Sequence, residues 1–378
     1  MSNLKELLDF TAHKHFSSST TETYLPTQIG STIEIIQADC DISALDVVLV
    51  GCGEFRGQDG QFAYSDGPDK IRHAFYQLHD WHTSIKIGDI GNIIQGQTLK
   101  DTKAALRTVL AELYALGKRV VILGGSHDLT LQQYEVFKQQ EEIVDFSVID
   151  MLADVNETSG ERYDNYLLNA LTSTPNFVRH FNLIGFQSYF VNPKLIETLD
   201  KLHFDCIRVG KVKEDIEQVE PMLRNTHFLS IDINAARHSD APCNKTASPN
   251  GFYGDEMCKL TRFAGMGNRM HSLGIYGYLP ENDVESLSAK LIAQMLWYYV
   301  DGLQFARTEA SLDDKDQFFE YHITFTDNNT SFLKSRKTNR WWMKLPNNDC
   351  IPCSHKDYIS ACNNEIPERW IRQVERSV

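Results

Sequence analysis

His127, Asp150, Asp154 and Asp232 are residue types that suit a divalent cation, and each stands in or just after a short β-prone apolar run. His127 follows "RVVILGG" (119–125), Asp150 lies in "FSVIDM" (146–151) with Asp154 and Asn156 close behind, and "HFLSIDI" (227–233) carries Asp232, with Asn234 next. Carboxylate oxygens and a neutral imidazole are good ligands for a hard or borderline metal ion. Without a cation, carboxylates brought together repel and their pKa values rise, so convergence of these segments points to a metal or a basic partner. The plainer alternatives are a buried structural histidine and aspartates that cap loops or pair with Arg162.

The elements that must bring these residues together lie between about residue 46 and residue 303. There "DVVLVGC" (46–52), "NLIGF" (182–186) and "LGIYGYL" (273–279) join the runs above as strand candidates, separated by helical-period segments at 99–117, 192–202 and 283–302. Nearly continuous apolar runs alternating with helices predict an α/β fold: a parallel sheet, covered on both faces, with right-handed crossovers. Such sheets gather ligands at the carboxyl ends of their strands. Those ends are where His127, Asp150, Asp154 and Asp232 fall.

With these motifs in view, the chain resembles the ureohydrolase superfamily of arginase, agmatinase and formimidoylglutamase. The family's Gly-Gly-x-His, Asp-x-His-x-Asp and Ser-x-Asp-x-Asp strand ends have counterparts in "GGSHD", "IDMLADVN" and "SIDINAARHSDAPCNKTASPNG", in family order. "SDGPDKIR" (65–72) and "DIGNI" (89–93) resemble further family stretches upstream, and the resemblance spans residues 46–303. It implies a three-layer α-β-α arginase-like fold with a central parallel sheet of about eight strands. It also implies a pair of Mn2+ ions that activate a hydroxide for attack on an amidine or guanidine carbon.

Carried onto this chain, one metal position uses His127, Asp150, Asp154 and Asp232, all present. The second would share Asp150 and Asp232 and add a histidine and an aspartate, where this chain has Leu152 and Asn234. Leucine cannot ligate, and the neutral amide of Asn234 is a weaker ligand than a carboxylate, so the expectation is one Mn2+ with the second site lost. The family's substrate-steadying glutamate falls at Gly277, Asn156 matches a position near the substrate, and Gln187 replaces the usual arginine or comparable polar residue. Asn156 and Gln187 are the substrate-binding candidates. His238 and Asp240 are loop residues that would be needed as replacement ligands, and Cys243 lacks a neighbouring base.

A formal charge of −14 disfavours nucleic acid, apart from the basic and aromatic run "KSRKTNRWWMK" (334–344), which reads either as a single-strand-binding surface or as buried anchors in a loop. No apolar run is long enough to span a bilayer, and the start "MSNLKELLDFTAHKHF" lacks a secretory pattern, so the expected compartment is the cytoplasm. Eight irregularly spaced cysteines read as reduced thiols, with Cys350, Cys353, His355 and Cys362 as an alternative, compact zinc set. The expected organisation is an N-terminal lead (1–45), the α/β domain (46–303) and a C-terminal extension (304–378) with a β-hairpin around Asp327-Asn328-Asn329.

Two functional readings stand. One is a metal-dependent hydrolase of a linear amidine or formimidoyl C–N bond, closer to formimidoylglutamase than to arginase, acting on a small molecule and assembling as a homo-oligomer. The other is a non-catalytic member of the fold that binds a metabolite or protein partner.

Overall fold

The computed structural model describes residues 4–10, 24–37, 40–58, 64–156, 163–244, 246–325 and 328–376. Arg162 and Asp327 lie outside the described residues. The strands of the main sheet are β1 (Leu8–Asp9), β2 (Glu34–Ile35), β3 (Val47–Cys52), β4 (Ile87–Ile93), β5 (Arg119–Gly124), β6 (Val144–Ile149), β7 (Val178–Phe186), β8 (Asp205–Arg208), β9 (Phe228–Asp232) and β10 (Ser272–Tyr276). Their order is β1-β4-β3-β5-β10-β9-β6-β7-β8, with β2 also on β4. The eight strands β3 to β10 are all parallel, and only β1 runs antiparallel.

Alternation along the strands sorts the core into layers. Leu49, Leu123, Ile231 and Ile275 face the helices Gly67–Tyr76, Gly254–Gly265 and Leu287–Ala306. On the opposite face Val50 and Ile122 pack against the helix Leu99–Ala115, while Phe146, Leu183 and Phe228 pack against Thr130–Gln139 and Tyr166–Thr172. The result is a three-layer α-β-α sandwich. Asp283, expected as the acidic cap of the long helix, does bond its first turn: its carboxylate accepts from Ser288 N at 2.8 Å and Ala289 N at 3.0 Å, although the helix begins four residues later.

Strand β4, "IGDIGNI", is buried throughout yet carries Asp89 and Asn92. The fully buried Arg72 makes this tolerable: Nε donates to Asp89 Oδ2 at 2.6 Å, Nη2 to Asp89 Oδ1 at 3.1 Å and to Gly91 O at 2.7 Å, and Nη1 to Asp69 Oδ1 at 3.0 Å. Tyr76 OH adds a bond to Asp89 Oδ2 at 2.6 Å. A buried ion whose partners fill its donor positions is held firmly, and removing one member strands the other.

The extension forms a second, antiparallel sheet of β11 (Phe318–Phe325), β12 (Asn328–Ser335), β13 (Trp341–Lys344) and β14 (Cys350–Cys353). Arg224 pairs with Glu220 and donates to Trp341 O at 2.8 Å, while Arg340 donates to Glu309 Oε2 at 3.0 Å and to Met266 O at 3.0 Å. Arg340, Trp341, Trp342 and Met343 are buried, so the basic and aromatic run contributes anchors and leaves no stacking platform at these rings. The zinc alternative does not assemble. Pleating sends Cys353 into the cluster around Phe332 and Trp341, whereas Cys350 packs on the one around Phe318 and Trp342, and Cys362 is exposed. All eight cysteines are free, and among the described residues no helix is long and apolar enough to cross a membrane.

Arg72→Leu leaves Asp89 buried without its charge partner, and urea unfolding of that variant is expected to show a loss of about 3–5 kcal/mol. The Arg72→Leu/Asp89→Leu pair recovers part of it. A loss below about 1 kcal/mol for Arg72→Leu contradicts this assignment.

Candidate metal centre

Strands β5, β10, β9 and β6 stand side by side, so the carboxyl ends that carry His127, Asp232 and Asp150 open on one point. The turn after β5 needs its two glycines for space. A Cβ on Gly125 would lie 2.1 Å from Glu54 O, and one on Gly124 would lie 2.1 Å from Tyr276 Cδ1. With neither present, the chain closes into the short helix His127–Leu129 and drops the imidazole into the protein, 3% exposed.

His127 Nδ1 lies 3.2 Å from Asp150 Oδ2, 3.0 Å from Asp154 Oδ2 and 3.7 Å from Asp232 Oδ2. None of these oxygens is aligned as its hydrogen-bond acceptor, so Nδ1 is a buried nitrogen without a hydrogen-bond partner. The other ring nitrogen is engaged: Nε2 lies 2.9 Å from Ser230 Oγ and 3.3 Å from Tyr166 OH. A proton on Nε2 given to Ser230 turns the Nδ1 lone pair toward the carboxylates, the tautomer a metal ligand requires.

The backbone orients the carboxylates in the same way. Asp150 Oδ1 accepts from Leu152 N at 3.0 Å, and Asp232 Oδ1 accepts from Asn234 N at 2.8 Å. In both, Oδ2 is left facing His127. Among the described residues, His127, Asp150 and Asp232 are the one group with ligand atoms all within 4.8 Å of one another, and Asp154 adjoins it through His127.

Burial and mutual repulsion raise the acids. Asp150 is pushed up to about 6 by burial and by Asp154, Asp232 to about 7 by burial and by Asp150, and Asp154 is raised chiefly by burial. Burial alone would lower His127, but Asp150, Asp154 and Asp232 outweigh it and hold its pKa well above the usual range. Four groups thus share too few protons, which a divalent cation would replace.

The other residues singled out in the sequence fall around this point. Asn234 is buried, and its Oδ1 has no hydrogen-bond partner. Leu152 contributes its backbone N–H to Asp150 and no ligand atom. Asn156 donates from Nδ2 to Asp164 Oδ2 at 2.9 Å. Gln187 has its amide committed to the loop after β9, donating to Asn250 O at 2.8 Å and accepting from Ser248 at 3.1 Å and from Tyr189 OH. His238 is exposed, and Asp240 binds Arg237 and Gly254 N, so neither replaces a ligand. Cys243 is buried, with burial pushing its thiol up to about 12.

Gly277 has φ +81°, and a Cβ there would sit 2.6 Å from Asp232 Oδ1. The backbone at this position leaves no room for a side chain beside Asp232. Ser230 and Tyr166 are the site residues missed in the sequence. Ser230 was within reach, because it precedes Asp232 by two residues on one strand and therefore shares its face. Tyr166 carried no such signal; the start of its helix brings its ring to 4.8 Å from that of His127.

Comparison with known proteins agrees with this architecture. Residues 45–300 match the model of the arginase family. The chain is 21% identical over 263 residues to the formimidoylglutamase of Staphylococcus haemolyticus (strain JCSC1435), covering 64% of this chain and 80% of that protein. Among solved structures it resembles Trypanosoma cruzi formiminoglutamase crystallised with Mn2+ (TM-score 0.64, 18% identity, 73% of this chain and 98% of that one). It also resembles formimidoylglutamase from Bacillus subtilis subsp. subtilis str. 168 (TM-score 0.66, 15% identity, 79% and 99%). With more than half of its length matched by the family model on a fold of the same architecture, this chain belongs to the arginase family.

Proposed function

We propose that the protein is a hydrolase of a linear amidine or formimidoyl C–N bond, with a single Mn2+ held by His127, Asp150, Asp154 and Asp232. The observation that carries this is the convergence of three carboxylate oxygens, 3.0 to 3.7 Å away, on one buried, unbonded imidazole nitrogen. The donor set fits the ion: hard oxygens and one borderline nitrogen, with His127, Asp150 and Asp232 already oriented by bonds on their far sides. Bound there, Mn2+ would supply a Lewis acid that lowers the pKa of water, making hydroxide available to attack the carbon of the C–N bond. Ser230 fixes the His127 tautomer, and the backbone at Leu152 and Asn234 keeps one oxygen of each shared carboxylate turned inward. Leu152 offers nothing to a second ion, and Asn234 offers only a neutral oxygen.

Formimidoylglutamase-like chemistry is favoured over arginase chemistry because position 277 is closed. A substrate with a free terminal cation has lost its carboxylate partner there. The same closure favours, as the second reading, a non-catalytic member that binds a metabolite through the old pocket.

Metal analysis of chain reconstituted with Mn2+ separates the two readings. The hydrolase reading expects one Mn2+ per chain and turnover of formimidoylglutamate above that of agmatine, guanidinobutyrate or arginine, both lost in Asp232→Ala. No bound metal and no turnover on any of the four sinks it.

Ligation requires Asp150 and Asp232 to be ionised. A carboxyl whose pKa is raised in the folded chain stabilises the fold while protonated, and that contribution is lost as pH rises through about 6 and about 7. Mn2+ takes the place of those protons, so its effect on Tm is expected to be larger at about pH 8 than at about pH 5.5. An Mn2+-induced shift that is flat across that range contradicts the ligand assignment.

Gly277→Glu is not expected to create arginine hydrolysis. It forces a side chain into a left-handed backbone position against Asp232, costing about 1–3 kcal/mol by thermal or urea unfolding and weakening Mn2+ binding. Unchanged stability with gained arginase activity overturns this account of the position.

A further inference from the structure

Ser230 and Tyr166 account for the ring of His127, but neither holds the main chain that carries it. That main chain is the helix His127–Leu129, and a 3-10 turn of three residues makes few bonds of its own. One is Leu129 N to Ser126 O at 3.2 Å. A metal ligand has to be held to within about 0.5 Å of its working position, so the turn needs an anchor from outside.

Asp128, the residue after the ligand, supplies one. It is 2% exposed, its Oδ2 meets Lys103 Nζ at 2.5 Å, and its Oδ1 accepts from Ser126 Oγ at 2.5 Å. The chain beyond β3 lies directly on this carboxylate, because a Cβ on Gly57 would come 2.5 Å from Oδ2. Among the described residues, Lys103 is the cation paired with Asp128. A carboxylate taken out of water in this way depends on its ion partner.

Lys103 belongs to the helix Leu99–Ala115, whose first turns also grip the neighbouring strand end. Thr102 Oγ1 accepts from Arg56 Nη2 at 3.0 Å, Arg56 Nε donates to the fully buried Glu54 at 3.0 Å, and Glu54 O accepts from Ser126 N at 2.9 Å. Helix, strand end and ligand turn are thereby closed into one circuit of bonds, in which Lys103–Asp128 is the link nearest to His127. An apolar pair could pack the helix against the turn about as stably as an ion pair does. What the charges add is a defined position.

We propose that Lys103 and Asp128 are positioning residues of the metal centre, fixing where His127 Nδ1 stands without touching the ion. This rests on the assignment of the metal to His127, Asp150, Asp154 and Asp232.

Calorimetric Mn2+ titration of the full, metal-free chain, read beside its Tm, tests the pair. Lys103→Met leaves the Asp128 charge buried and unpaired, and is expected to lower both Tm and Mn2+ affinity. Lys103→Met/Asp128→Asn leaves no such charge, so Tm recovers most of its loss, while Mn2+ affinity stays about tenfold or more below that of the unaltered chain. That split is the signature of positioning, because a contact that serves only the fold moves affinity together with Tm. A double variant that binds Mn2+ as tightly as the unaltered chain overturns the proposal and leaves the metal assignment standing. An unaltered chain that binds no Mn2+ removes the metal assignment and this proposal with it.

Discussion

Three aspartates crowd one imidazole nitrogen, and much of the structure is arranged to make that crowding hold. Asp150 and Asp154 are buried, as is His127, and Asp232 is nearly so. Taking such charges out of water costs several kcal/mol each unless they are paired. The protein offsets part of this through His127 itself and through the backbone N–H groups of Leu152 and Asn234. The remainder is a standing demand for positive charge. Strand order, the glycine turn after β5 and the bare position 277 all serve to bring the groups close enough for that demand to arise.

The centre is lopsided. His127, Asp150 and Asp232 each have a bond on the far side that aims them inward. On the other side stand Leu152, which cannot ligate, and Asn234, whose buried Oδ1 has no hydrogen-bond partner. Gly277 belongs to the same side and closes the space next to Asp232.

The fold was readable in the sequence where strands are long and apolar. The runs ending near Gly124, Tyr276, Asp232, Ile149 and Phe186 form adjacent parallel strands in that order, and the pattern of both faces buried follows from their continuous hydrophobicity. Strand β4 escaped because its Asp89 and Asn92 break that pattern, and their burial depends on Arg72, a partner fifteen or more residues away. Strand β8 escaped because it is an edge of four residues, and β1 and β2 because two residues carry no period. The ligand candidates were legible from residue type and strand-end position. Their supports were less so, since Tyr166 reaches His127 only through tertiary packing. The commitment of Gln187 to the loop residues Ser248 and Asn250 was likewise invisible, because hydrogen bonds between distant segments leave no local trace.

The central expectation is one ion held at His127, Asp150, Asp154 and Asp232. Crystals of the chain grown with Mn2+ and measured at the manganese absorption edge test this directly. The expected result is a single anomalous peak in contact with His127 Nδ1 and the inward oxygens of Asp150, Asp154 and Asp232. Two peaks bridged by Asp150 and Asp232, or none at this point with Mn2+ in excess, would contradict it.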